Sequence, residues 1–121
     1  MHELSIALQL IEIAEASARQ ADAQHVDTVH LRLGVLAGVV KDSLLFAYDT
    51  ATAGTLLEGS RLEIEDVPLV IHCPSCQQDR ELPSIQSFQC PICGTFSSDV
   101  RQGTELELVS LEIMQDEAET H

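Results

Sequence analysis

Cys73-Pro-Ser-Cys76, thirteen further residues, then Cys90-Pro-Ile-Cys93-Gly94: this stretch holds every cysteine of the 121-residue chain, in two pairs of identical spacing. A Cys-x-x-Cys turn aims two sulfurs at one point. Two such turns brought together form the tetrahedral four-thiolate cage that suits Zn²⁺, with Zn–S distances near ~2.3 Å. The gap between the pairs is just short of the roughly 15–20 residues usual for paired Cys-x-x-Cys sites, and is long enough for a small hairpin. Pro74 and Pro91 stiffen the two knuckles by fixing φ, and Gly94 lets the backbone turn sharply after the second. Other uses of the thiols compete. Two disulfides suit a small secreted protein, but the opening Met1-His2-Glu3 lacks the basic segment of a secretory signal. Four-thiolate iron shares the geometry. A redox dithiol needs only one pair. Structural zinc is the stronger reading, and a closed site of that kind leaves no open position for a substrate.

The chain length fits one domain, or one domain carrying a small metal-binding insert. Apolar residues make up 45% of it, yet aromatics only 3% and Trp is absent, so the core must be Leu, Ile, Val and Ala. Twenty acidic residues against six basic ones give a formal charge of −14. Zinc ribbons that bind nucleic acid do so by neutralising phosphates with Lys and Arg. One lysine and five arginines without a basic cluster point away from nucleic acid and towards partners with basic faces. Between Arg32 and Lys41 the uncharged run is eight residues, and a membrane span needs ~20. Reduced cysteines without an export signal imply the cytoplasm.

Apolar spacing places the elements. Leu4, Ala7, Leu8, Ile11, Ala14 and Ala18 form one helical stripe, widened by Ile6, Leu10 and Ile13, which predicts a helix from Leu4 to about Ala21. Glu3 stands at its start, where a negative charge interacts well with the helix dipole. Val26 to Leu36 alternates as a half-buried strand, with Val29, Leu31, Leu33 and Val35 on one side. A second helix is expected from Ser43 to Ala53, capped by Asp42 or Ser43, with Leu44, Leu45, Tyr48 and Ala51 inward. Strands follow at Arg61 to Val67 and Glu105 to Met114. In both segments the apolar positions change phase, Leu62 and Ile64 giving way to Val67, Leu69 and Ile71, and Leu106 and Leu108 to Val109, Leu111 and Ile113. A one-residue slip flips a strand face, so each change implies a bulge or bend. The fold expected is α+β: two helices packed on a mixed three-stranded sheet, with an inserted zinc-ribbon-like four-cysteine module. Residues 1–69 and 99–115 would form the α/β domain, 70–98 the zinc module, and 116–121 a disordered acidic tail.

The first three residues offer a second metal site. A free α-amine followed by His is a chelator: the Met1 amine, the His2 backbone nitrogen once deprotonated, and one imidazole nitrogen close fused rings around an ion. The Glu3 amide or carboxylate lies near as a fourth donor. Nitrogen-rich tetragonal sites suit Ni²⁺ or Cu²⁺ rather than Zn²⁺ or Mg²⁺. Taken alone the signal is weak, since a frayed terminus with a chance histidine looks the same.

Several segments carry a family resemblance. Met1-His2-Glu3-Leu4-Ser5, Leu31-Arg32-Leu33-Gly34, Ser43-Leu44-Leu45-Phe46-Ala47-Tyr48, Glu58-Gly59 with Leu62-Glu63-Ile64, the double Cys-Pro-x-Cys loop, Gly103-x-Glu105-Leu106 and Leu111-Glu112-Ile113 resemble the HypA/HybF family of hydrogenase nickel-incorporation proteins. The resemblance implies a metallochaperone rather than an enzyme, delivering Ni²⁺ to the large-subunit precursor of nickel–iron hydrogenase together with a HypB-type GTPase. It implies His2 as the essential nickel ligand with Met1 and Glu3 beside it, and Cys73, Cys76, Cys90 and Cys93 as zinc ligands. His72, directly before Cys73, reads either as a strand-end residue or as a modulator that exchanges into the zinc site. A zinc-ribbon interaction or nucleic-acid module, and a rubredoxin-like iron electron carrier, are the rival functions. The oligomeric state stays open, with a homodimer by exchange of a helix or strand among the options.

Overall fold

The structure is a computed structural model that describes residues 2–83, 85 and 87–115. Met1 and the tail at 116–121 lie outside the described residues. The elements run α1 (Glu3–Gln20), β1 (Ala23–Gly34), α2 (Lys41–Ala51), β2 (Arg61–Val67), β3 (Leu69–Cys73), β4 (Gln78–Leu82), β5 (Val100–Gln102) and β6 (Leu106–Gln115). They make two three-stranded sheets, of order β2-β1-β6 and β4-β3-β5. No helix among the described residues is long and apolar enough to cross a membrane. The chain divides into two compact units. One takes the described residues of Met1–Leu31, Val39–Glu63 and Leu108–His121, the other Arg32–Gly38 and Ile64–Glu107.

In the first unit α1 buries Ala7, Leu10, Ile11, Ala14 and Ala18, and three alanines on that stripe let α2 approach closely. Leu4, Leu8 and Ile13, expected inside, are more than half exposed, because the buried stripe is turned towards Leu10. α2 begins at Lys41, two residues before the expected start. Neither Asp42 nor Ser43 caps it: the N-cap is Val40, which has no side chain able to cap. The carboxylate of Glu3 supplies a capping-type bond instead, accepting the Val40 N–H at 3.0 Å. Leu44 and Tyr48 face inward, and the buried Tyr48 hydroxyl bonds Ser60 Oγ at 2.7 Å.

β1 is the central strand of its sheet, with Val26, Thr28, Val29, Leu31 and Leu33 buried. That sheet is mixed. Contacts from β1 towards β2 rise together along both strands, Arg32 to Glu65 and Val35 N–H to the Val67 carbonyl, as in a parallel pair. Those towards β6 run in opposite order, Gly34 N–H to the Glu105 carbonyl and Leu36 N–H to that of Gly103, both 2.7 Å. The expected phase change in β2 appears as two consecutive exposed residues, Glu65 and Asp66, before buried Val67.

The second sheet is the element sequence reasoning did not place. β3 pairs antiparallel with both neighbours, with a register shift between Val70 and Ile71 on the β5 side. Leu69, Ile71 and Leu82 form its core, packed by Leu36, Phe88 and Val100. β4 reads Gln-Asp-Arg-Glu-Leu, without strand-like alternation, and β5 has three residues. Their pairing comes from β3 and the cysteine turn, not from local propensity.

Candidate functional site

The two cysteine pairs fold into knuckles of one design. In the first, Gln77 N–H bonds the Cys73 carbonyl at 2.7 Å; in the second, Gly94 N–H bonds that of Cys90 at 2.9 Å. The residue after each pair is left-handed, Gln77 at φ 56° and Gly94 at φ 77°. Glycine adopts this conformation freely, whereas Gln77 is held in it by the knuckle. Cys76 N–H points back at Cys73 Sγ, 3.4 Å away. The second knuckle sits in a short hairpin, with Gln89 bridged to Phe96 and Cys90 N–H bonded to the Thr95 carbonyl. Thr95 Oγ1 lies 3.2 Å from Cys93 Sγ and 3.0 Å from Ser75 Oγ, joining the second knuckle to the first.

All four sulfurs fall within 4.8 Å of one another. Cys73 and Cys93 Sγ are 3.5 Å apart, Cys76 and Cys90 Sγ 3.9 Å. A disulfide requires about 2.05 Å, so the thiols are free. Tetrahedral zinc at ~2.3 Å from each sulfur places sulfurs about 3.8 Å apart. The donor set and its spacing fit such an ion.

The thiols do not ionise alike. The Cys93 N–H, then that of Ile92, pulls Cys90 down to about 6. Cys93 is lowered by the Thr95 hydroxyl first and by the Thr95 N–H. The Cys76 N–H favours the Cys73 thiolate, but burial and the three neighbouring thiols outweigh it and push Cys73 up to about 11. Four sulfurs this close hold a proton among them until a cation displaces it, so metal affinity must fall as pH drops.

His72 lies on the other side of its strand. Burial along β3 alternates, with Leu69, Ile71 and Cys73 buried and Val70 and His72 between them. His72 Nδ1 meets Asp79 Oδ1 at 2.9 Å across the strand pair. Its N–H bonds the Asp99 carbonyl, and its own carbonyl accepts Ser97 Oγ at 2.7 Å. The cluster of candidate metal ligands among the described residues is the four cysteines.

At the other candidate site, His2 is the exposed N-cap of α1; its carbonyl accepts the Ile6 N–H at 3.0 Å and its side chain makes no capping bond. The Glu3 carboxylate is held below its ordinary range by the Val40 N–H and next by its own N–H. The expected ligand Met1 is outside the described residues. Sequence reasoning missed Gln77, Thr95 and Arg80 around the sulfurs. Gln77 could have been found, since it stands at the offset of Gly94 in the second pair.

The family described as hydrogenase/urease nickel incorporation, metallochaperone, hypA matches residues 1–113. The hydrogenase maturation factor HypA of Roseiflexus sp. (strain RS-1) is 52% identical over 119 residues, covering 98% of this chain and 97% of that protein. Its counterpart from Chloroflexus aggregans is 46% identical over 112 residues, covering 93% of this chain and 98% of that protein. The solution structure of the Ni metallochaperone HypA from Helicobacter pylori superposes with a TM-score of 0.65 at 25% identity, over 96% of this chain and 100% of that one.

Proposed function

This chain belongs to the HypA family of nickel-incorporation metallochaperones, and on that premise we propose that it binds Ni²⁺ at its N-terminus and passes it to the large-subunit precursor of nickel–iron hydrogenase. His2 is the principal ligand, through its imidazole and backbone nitrogens, with the Met1 amine beside it. A HypB-type GTPase is the partner in the transfer. Cys73, Cys76, Cys90 and Cys93 hold a structural Zn²⁺, which ties the two knuckles together and takes no part in the transfer. Four thiols too far apart for disulfides suit the reducing cytoplasm.

The start of α1 carries the reading. His2 is exposed and its side chain is not spent on capping. One oxygen of the Glu3 carboxylate is occupied by the Val40 N–H. This supports nitrogen donors as the main ligands, with Glu3 beside them as the group that anchors the terminus to α2. The location also favours release. The N-terminus of a helix carries about half a positive charge and opposes a bound cation, so affinity rests on nitrogens that bind only when deprotonated. A cargo site needs that balance between grip and transfer. His72, bonded to Asp79 on the face opposite Cys73, fits the strand-end role better than that of an exchanging ligand.

The test is a nickel titration of untagged protein against His2→Ala and against a form with one extra residue before Met1, with zinc content measured in parallel. Both changes are expected to abolish tight nickel binding and leave one zinc per chain. Nickel binding that survives the extension and disappears only when the cysteines are replaced would overturn the terminal site.

A further inference from the structure

Arg80 differs from the other four arginines. Arg19, Arg32, Arg61 and Arg101 each lie beside a carboxylate, at 3.7, 3.3, 3.7 and 2.9 Å from Glu15, Glu107, Glu63 and Asp99. Arg80 faces sulfur. In the β3–β4 pair Cys73 stands opposite Gln78, and Ile71 opposite Arg80. Residues directly opposite share a sheet face, as do residues two apart on a strand. Arg80 therefore emerges on the face that carries Cys73, while His72 and Asp79 take the other. Cys76 and Cys90, one from each knuckle, are the thiols whose proximity favours its charged form. Its Nε is shut off from solvent with no hydrogen-bond partner among the described residues.

Four thiolates around a divalent cation leave a net charge of roughly −2, in a chain whose formal charge is already −14. A guanidinium stays charged and presents five donors in a flat fork, whereas a lysine ammonium is a point charge. We propose that Arg80 is a positioning residue of the four-cysteine centre: its fork spans Cys76 and Cys90, offsets the charge of the metal–thiolate cluster and restrains both knuckles around the ion. This rests on reading the cluster as a metal site. Partners one shell beyond the ligands typically set affinity by roughly 10–100-fold.

The experiment loads the full chain with zinc and, separately, with cobalt(II), as wild type, Arg80→Met and Arg80→Lys. Zinc affinity is read by competition with a chromophoric chelator, and the sulfur-to-cobalt charge-transfer band by absorption. Arg80→Met is expected to weaken zinc by roughly 10–100-fold and to move the band to lower energy, because sulfurs without the cation hold their electrons less tightly. Arg80→Lys should recover part of both effects. An Arg80→Met centre within about threefold of wild type, well below the usual range for such partners, overturns the proposal. So does an unmoved band with equal losses in Met and Lys, which marks a purely structural arginine. Where Arg80→Met does not fold, Arg80→Gln gives the same comparison with the same two outcomes. Wild-type protein that yields no tetrathiolate cobalt spectrum overturns the metal-site reading and this proposal together, so the two failures are distinguishable.

Discussion

Replacing Gly34 by alanine puts a methyl group where main chain already lies. A Cβ at this position would stand 2.1 Å from the Gly103 carbonyl oxygen, 2.3 Å from its carbon and 2.7 Å from the Glu105 nitrogen. Non-bonded heavy atoms are comfortable at about 3.5–4.0 Å, so the segments must separate by roughly 1 Å or more. The obstacles are backbone atoms and cannot rotate away. Separation strains two hydrogen bonds of 2.7 Å, Gly34 N–H to Glu105 and Leu36 N–H to Gly103. Losing both costs about 1 kcal/mol each, and overpacking adds about 1–3 kcal/mol, giving about 3–5 kcal/mol in all. Against a typical total stability of about 5–15 kcal/mol, this is a large fraction. Gly38→Ala is the control: its φ is +76° with nothing within 4 Å of the added carbon, so only left-handed strain of about 1–2 kcal/mol applies. Urea unfolding of metal-loaded protein, followed by far-UV circular dichroism, should show the larger midpoint shift for Gly34→Ala at an unchanged slope. The melting temperature should fall by roughly 10–30 °C, at about 3–6 °C per kcal/mol for a chain of this size. A Gly34→Ala protein no less stable than Gly38→Ala would refute the reasoning.

Other expectations concern single groups. Tyr48→Phe leaves buried Ser60 Oγ without its 2.7 Å partner and should cost about 1–2 kcal/mol; Tyr48→Phe with Ser60→Ala should cost less than the two singles summed, read as a double-mutant cycle from urea midpoints. The Val40 N–H holds the Glu3 carboxyl below its ordinary range in the folded state. A depressed carboxyl contributes stability that is present above the unfolded value and is lost as pH falls through the folded one, so the Val40 amide resonance should titrate at acid pH, below the ordinary glutamate range, in wild type and not in Glu3→Gln. Gly94→Ala meets no neighbour within 4 Å and should cost about 1–2 kcal/mol from its φ of +77° alone, while keeping a four-sulfur cobalt spectrum.

Much of the molecule is legible in one dimension because its signals are local. Helical spacing from Ala7 to Ala18 locates α1, alternation locates β1, and the Arg61–Val67 strand agrees at both ends with the bounds expected. The metal cluster was legible because a Cys-x-x-Cys turn is itself a local geometry. Where the expectation failed, the physics was not local. Leu4, Leu8 and Ile13 match the helical period, but which edge of a wide apolar face turns inward depends on what packs against it. The start of α2 was misplaced because its capping-type bond comes from Glu3, thirty-seven residues earlier in the chain. β4 was missed because a polar segment beside a metal loop needs no apolar alternation to pair.

The chain by itself determined the chemistry of its cysteine cluster, four sulfurs at knuckle spacing, and an acidic balance that disfavours phosphate. Those properties belong to residue types and short spacings, and no folding is needed to read them. Only the tertiary structure decided which distant residues share a site. Leu31-Arg32-Leu33-Gly34 and Gly103-x-Glu105-Leu106 look like unrelated motifs until Gly34 is seen against the Gly103 carbonyl, where no side chain fits. Arg80 is an ordinary charge in a polar pentapeptide until the register of β3 and β4 sets it opposite Ile71, on the sheet face that carries Cys73. Contact between remote segments depends on strand register and close packing, which residue order constrains but does not display.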